Sequence, residues 1–193
     1  MLVLSLRPSL LEFNGYWGSD KNDMLDHTIT KPLSIESHVV HRMVVELCSG
    51  STYQFLDRGE SVIVRTTKNI SASGRPVISP DEGTEHVFFL RASVAGRRKK
   101  TNIYPASANW RYRKTWLEQQ GDKSGFDVLD VHVKSRHIKI EDRSGRRFSI
   151  DCSDFTGVLR VIHKRKFTET LHNGIGRIGQ VFGIGMLIIG SGQ

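Results

Sequence analysis

Apolar residues in this chain switch twice from the alternating spacing of a strand to the three-and-four spacing of a helix and back to paired strands, and that repeated order constrains the fold more than any other feature. In the first half, Leu2 to Leu6 reads as a strand that Pro8 ends, and a mostly polar stretch containing Trp17 reads as a long loop to Pro32. Ser34 is a suitable N-cap for a helix whose stripe is Ile35, Val39, Val40, Met43, Val44 and Leu47, and Gly50 closes it. Tyr53 to Leu56 and Ser61 to Thr67 flank the turn sequence Asp57-Arg58-Gly59-Glu60 and predict a hairpin, while Ser71 to Gly83 is turn-rich and carries no clear element.

The second half repeats the order. His86 to Val94 predicts a strand and Gly96-Arg97-Arg98-Lys99-Lys100 a basic loop. Ala106 to Gln120 predicts a helix stopped by Gly121. Phe126 to Val133, His137 to Ile140, Arg147 to Ile150 and Gly157 to His163 read as strands, Lys164 to Asn173 as a short helix and Met186 to Ile189 as a closing strand. Two β-α-β-β units in an α+β chain predict tandem ferredoxin-like (RRM-like) βαββαβ domains, 1–83 and 84–193, with a glycine-rich loop near the C-terminus. No sequence repeat links the halves, so the duplication is read from element order alone.

Charge and cysteine content narrow the function classes. The 193 residues carry 28 Lys and Arg against 20 Asp and Glu, a formal charge of +8, which favours a polyanionic partner. No apolar run reaches the ~20 residues of a membrane span, and the first residues lack a basic segment ahead of an apolar one, so neither membrane insertion nor a signal peptide is expected. Cys48 and Cys152 form no C-x-x-C pair. A disulfide framework and a thiolate metal site are therefore not expected, and a reduced cytoplasmic setting is.

The run Gly174-Ile-Gly-Arg-Ile-Gly-Gln-Val-Phe-Gly-Ile-Gly185 holds five glycines in twelve residues and contains a literal G-x-G-x-x-G. A dinucleotide fingerprint would follow a strand, open a helix and be answered by an acidic residue ~20 positions later. Here the run follows a helix and the chain ends 14 residues after Gly179, so that reading fails and no cofactor is expected. Glycines this dense suit close approach of backbone to a phosphate chain or to a neighbouring strand, or a tightly packed connection without a ligand.

With these blocks in order, the chain resembles the CRISPR repeat-processing endoribonucleases, and within them the CasE-type subunit of type I-E Cascade. Phe155-Thr-Gly-Val-Leu, a short helix, Gly174-Ile-Gly-Arg and Phe182-Gly-Ile-Gly-Met-Leu are similar to that family's ending. His86-Val-Phe-Phe-Leu-Arg-Ala-Ser resembles its Phe-Arg-Leu-Arg-Ala-Asn strand, and Thr115-Trp-Leu-Glu-Gln-Gln with Gly125-Phe126 resembles its Ala-Trp-Leu helix and following strand. These blocks cover roughly residues 84 to 190, and the first half matches more weakly. There His38-Val-Val-His41-Arg42 resembles the family's Tyr-x-x-His-Arg, which implies that His41 takes the catalytic position and that His38 stands where the tyrosine would be.

The residues themselves are compatible with that chemistry. At ~3.6 residues per turn, His38 and His41 lie about 60° apart, on the side opposite Val39, Val40, Met43 and Leu47. Cutting RNA without metal requires deprotonating a 2′-hydroxyl and protonating a departing 5′-oxygen, and an imidazole with a pKa near ~6.5 does either at neutral pH. Two histidines at this spacing also arise on an ordinary solvated face, or as half of a metal site. No Glu completes an H-E-x-x-H pattern, and no metal is expected.

For binding, Arg42, Arg97, Arg98, Lys99, Lys100, Arg111, Arg113 and Lys114 are the candidate phosphate contacts, with Gly174, Gly176, Arg177, Gly179, Gly183 and Gly185 as the loop beneath an RNA stem. Arg143, Arg146 and Arg147 ring a further turn. The resemblance implies an endoribonuclease that cuts precursor CRISPR RNA at the 3′ base of the repeat stem, leaves a 2′,3′-cyclic phosphate and a 5′-hydroxyl, and stays on its product with the other Cascade subunits, monomeric when free. The rival readings are a CRISPR RNA-holding subunit that does not cut and a generic RRM-like binder. The strand from His86 lacks the RNP pattern the latter needs.

Overall fold

The computed structural model of the chain describes residues 23–31, 37–94, 96–98, 101–103, 109–141, 146–176 and 179–190. In chain order the elements are β1 (Leu25–Thr30), α1 (Ser37–Leu47), β2 (Tyr53–Asp57), β3 (Ser61–Thr66), β4 (Arg75–Pro76), β5 (Glu85–Ala92), β6 (Gly96–Arg98), β7 (Thr101–Ile103), α2 (Trp110–Ser124), β8 (Phe126–Glu141), β9 (Arg147–Val161), α3 (Lys164–Asn173) and β10 (Leu187–Ile189), with a 3₁₀ turn at Gln180–Phe182. The strands form two four-stranded antiparallel sheets, β2-β3-β1-β4 and β10-β5-β9-β8, and the short ribbon β6-β7. Each large sheet places its first strand beside its third and sets its last strand on the outer side of the first. The fold is therefore α+β and tandem ferredoxin-like, the architecture expected from element order. No helix among the described residues is long and apolar enough to cross a membrane.

Several elements depart from the sequence expectation for physical reasons. The Leu2 to Leu6 strand lies outside the described residues. The stretch read as a loop up to Pro32 contains β1, whose alternation is masked because its most buried position is polar: His27 is fully buried and bonds Ser71 Oγ at 2.9 Å and the Lys68 carbonyl at 3.1 Å. Gly121 does not stop the second helix. It sits inside α2 where a Cβ would meet the Phe126 carbonyl oxygen at 2.5 Å, and the stop is Gly125, in the left-handed region with its N–H on Gly121 O. The four short strands expected after α2 are two long ones, β8 and β9, paired from Phe126↔Val161 to Glu141↔Arg147. The polar runs between the apolar stretches are the wet face and buried ion-pair positions of one ribbon. Within the basic segment after β5, Gly96–Arg98 form strand β6 paired with β7 rather than a loop, and Lys99 and Lys100 lie outside the described residues.

Among the described residues, three apolar clusters hold these layers. Val40, Val44 and Cys48 of the α1 segment pack on Phe55, Val62 and Val64 of the first sheet. Phe88 and Leu90 of β5, Leu117 of α2, Phe155 and Leu159 of β9, and Phe167 and Leu171 of α3 form the larger core of the second. Ile140, Ile150, Cys152 and Ile184 make a third cluster that carries the outer part of the β8-β9 ribbon onto the glycine-rich loop.

The sheets meet through polar groups. Arg65 of β3 is 1% exposed, grips Asp26 with two bonds of 2.7 and 2.8 Å, and donates Nη1 to the carbonyls of Leu171 and Leu187 at 2.9 Å each. Leu171 lies in the last turn of α3, where carbonyls have no helical partner, so the guanidinium fills a need the helix end creates. Gln54 Nε2 bonds the same carbonyl at 2.9 Å. A second link runs from Arg91 of β5, which holds Asp154 and donates to the Asp57 carbonyl at 2.9 Å, while Lys31 meets the Asp57 carboxylate at 2.7 Å.

Two stability predictions follow from these buried groups. Asp26→Ala leaves the Arg65 cation buried without its carboxylate, and urea denaturation should show a loss of about 3 kcal/mol at an unchanged slope. Burial pushes the His27 imidazole pKa down, outweighing its bonds to Lys68 and Ser71 and the nearby Asp26 charge. The unfolded chain therefore takes up a proton below about pH 6.5 that the folded chain refuses, and stability falls as pH drops through that value. His27→Gln should remove that part of the decline, measured as the change in urea midpoint between neutral and mildly acidic buffer.

Candidate nucleic-acid interface and active site

His41 lies on α1, and its imidazole Nε2 is 3.2 Å from the hydroxyl of Tyr53. Phe55, two residues further along β2 and so on the same strand face, stacks on the imidazole with ring centroids 6.2 Å apart and planes 21° apart, and the Tyr53 ring stands at 6.5 Å and 43°. The short turn 48–52 returns the chain from the end of α1 into β2 and sets this strand against the helix. Burial raises the Tyr53 hydroxyl pKa above its usual value near 10, and Cys48 adds to the shift, so the phenol keeps its proton at neutral pH.

The glycine-rich run reaches the same place from the other half. Gly174, Gly176, Gly179, Gly183 and Gly185 all have positive φ, so the loop follows a path that side chains would resist. Its fold is held by Ile175 N–H to the Gly185 carbonyl and Gly185 N–H to the Arg91 carbonyl, each 2.7 Å, with Ile175 and Ile184 buried. At Gly183, φ is +74° and a Cβ would stand 2.8 Å from the Phe55 ring. The loop thus presses directly on the ring that stacks on His41. Between β2 and this loop opens a cleft of about 220 Å³ lined by Tyr53, Gln54 and Phe55 on one side and by His172, Asn173, Gln180 and Gly185 on the other. The sequence-predicted histidine and glycine loop are thereby brought together.

The remaining candidates divide. His38 shares α1 with His41, but its side chain lies outside the described residues, as do those of Arg97 and Arg98 on β6; Lys99, Lys100, Arg143 and Arg177 lie outside them entirely. Arg42 is exposed beside His41. Arg111 is exposed and its guanidinium sits 5.6 Å from the centre of the Trp110 ring, itself 56% exposed, and Lys114 faces Glu118 at 3.9 Å. Arg113 is corrected. It is fully buried, holds Asp151 at 2.9 Å and Ser153 Oγ at 2.6 Å, and ties α2 to β9 instead of meeting a phosphate. Arg146 and Arg147 are exposed at the outer end of the β8-β9 ribbon.

Tyr53, Phe55 and His172 escaped the sequence reading. Period-two spacing marks Tyr53 and Phe55 as sharing a face, but nothing in sequence pairs that face with position 41, and His172 carries no distinguishing neighbour.

A family model described as "CRISPR associated protein" matches residues 19–190. The CRISPR-associated endoribonuclease Cse3 of Thermus thermophilus is 26% identical over 126 residues, covering 59% of this chain and 58% of that protein, so this match spans under two thirds of the relative's length. Among solved structures, Thermus thermophilus Cse3 bound to an RNA representing a pre-cleavage complex superimposes with a TM-score of 0.74 at 18% identity, over 88% of this chain and all of that one. A chain of a CRISPR RNA-guided surveillance complex gives 0.66 at 18% identity, over 86% and 98%. The resemblance to CasE-type subunits read from the motifs agrees with these matches, and the chain belongs to the CRISPR-associated protein family.

Proposed function

We propose that the chain is an endoribonuclease that binds the repeat hairpin of precursor CRISPR RNA and cuts it at the 3′ base of the stem with His41 as the proton-transfer group. The observation that carries this reading is the placement of the His41 ring, bonded to Tyr53 and stacked on Phe55, beside a cleft whose far wall is the glycine-rich loop. As general base the imidazole takes the proton of the 2′-hydroxyl while that oxygen attacks the adjacent phosphorus; as general acid it returns a proton to the departing 5′-oxygen. The products are a 2′,3′-cyclic phosphate and a 5′-hydroxyl, with His38 sharing the transfers and no metal required. Phosphate contacts fall to Arg42, Arg97, Arg98, Lys99, Lys100, Arg111, Lys114 and Arg177, with the glycine backbone beneath the stem.

The relatives support this assignment through what their names state: Cse3 is an endoribonuclease seen with RNA, and a similar fold occurs in an RNA-guided surveillance complex. In the same reading units 1–83 and 84–193 carry the catalytic helix and the RNA-binding segments respectively. The chain is monomeric in the cytoplasm when free, and joins its product to the other Cascade subunits.

A single-turnover assay on labelled repeat RNA in EDTA tests the mechanism. Wild type should cut, and His41→Ala should lose about 10²-fold or more in rate with binding retained. Tight binding without cutting by wild type would leave a CRISPR RNA-holding subunit. Gly183→Ala adds a Cβ in the left-handed region against Phe55, and should cost about 1–2 kcal/mol in thermal unfolding and slow cleavage while the RNA is still bound.

A further inference from the structure

We infer that Tyr53 is the positioning residue of this site, its hydroxyl holding the His41 imidazole in one orientation and one tautomer against Phe55, which with Tyr53 lines the cleft. This rests on the proposed role of His41. A histidine that moves protons must present a chosen nitrogen, and the choice is set by what its other nitrogen bonds. A side chain on an amphipathic helix has two rotatable bonds of its own and no means of making that choice. Here the choice comes from a neighbouring strand: Tyr53 Oη lies 3.2 Å from Nε2, while Phe55 on the same face of β2 stacks on the ring and limits its rotation.

The phenol is suited to this because its oxygen accepts. It accepts from Nε2–H in the neutral ring, which puts the lone pair that takes the proton on Nδ1, and from the same Nε2–H in the imidazolium, so the ring remains anchored as its charge changes during the reaction. Tyr53 also lines the cleft that separates β2 from the glycine-rich loop, so the anchor lies beside the space an RNA strand would enter. Two features of strand geometry reinforce this. β2 is paired to β3 along its whole length, from Tyr53↔Thr66 to Asp57↔Val62, and Gln54 on its other face is tied to the end of α3, so the hydroxyl is carried on an element with little freedom.

The test uses the full chain and Tyr53→Phe, which keeps the ring and removes only the oxygen. Single-turnover cleavage should fall about 10-fold or more while the RNA dissociation constant stays within about twofold and the thermal midpoint is retained. In parallel, the ring nitrogens of His41 in ¹⁵N-histidine-labelled protein should show one dominant tautomer with a hydrogen-bonded Nε2 in the wild type, and an averaged pair of tautomers in Tyr53→Phe. A Tyr53→Phe rate and ring spectrum equal to wild type, with His41→Ala inactive, would overturn the inference and leave the role of His41 intact. Normal cleavage by His41→Ala would instead remove the reading beneath it. Should Tyr53→Phe fold poorly, the wild-type spectrum alone decides, since averaged tautomers there would contradict an anchored ring.

Discussion

The guanidinium of Arg65 is the most deeply buried of the polar groups that join the two halves of this molecule. It is almost wholly buried, it consumes the Asp26 carboxylate within its own sheet, and its remaining nitrogen reaches two carbonyls of the other half, at the end of α3 and on β10. Buried charge is costly unless every donor is used, and a planar guanidinium with several directed donors can bind a carboxylate and two backbone oxygens at once where an ammonium cannot match the geometry. A joint of this kind fixes direction as well as distance. An apolar contact of the same area would let the sheets slide, whereas four bonds to one group do not.

That fixed direction matters because the site is shared. Tyr53 and Phe55, which hold the His41 ring, line the cleft from the first sheet, and His172, Asn173 and the glycine-rich loop line it from the second half. Gln54 shows how close the joint and the site are, since it donates to the same Leu171 carbonyl that Arg65 uses while its strand neighbours on either side touch His41. The glycines extend the same logic. With φ +74° at Gly183 and +103° at Gly185, the loop lies against Phe55 and bonds the Arg91 carbonyl through Gly185 N–H, and the third apolar cluster, which includes Ile184, supports it from the β8-β9 ribbon.

What could be seen from sequence follows which forces are local. Helix α3, helix α1 from Ser37 onward and the hairpin β2-β3 have their periodicity and turn residues in one short window, and they stand where the pattern put them, while the expected N-cap Ser34 and Ile35 lie outside the described residues. Strand β1 did not declare itself, because its buried position is a histidine whose partners, Ser71 and Lys68, lie some forty residues away. The long ribbon was read as pieces because Asp151, Ser153 and Asp154 look like loop residues until Arg113, Arg91 and Arg136 are seen to pair with them. The same blindness misassigned Arg113, since its sequence neighbours are basic and aromatic and its partner sits across the core. In the site, His41 and the glycine run were legible, one by spacing and family likeness and the other by composition. The tyrosine that bonds His41 was not, because a contact between a helix and the strand that follows it leaves no periodic trace.

The most direct measurement is the structure of this chain bound to repeat RNA carrying a 2′-deoxy nucleotide at the cut site, which blocks attack and preserves the uncut strand. The scissile phosphate should sit in the cleft between β2 and the glycine-rich loop, with its 5′-oxygen within about 3 Å of the His41 imidazole or one water away. A scissile phosphate seated elsewhere, with the cleft empty of RNA, would contradict it.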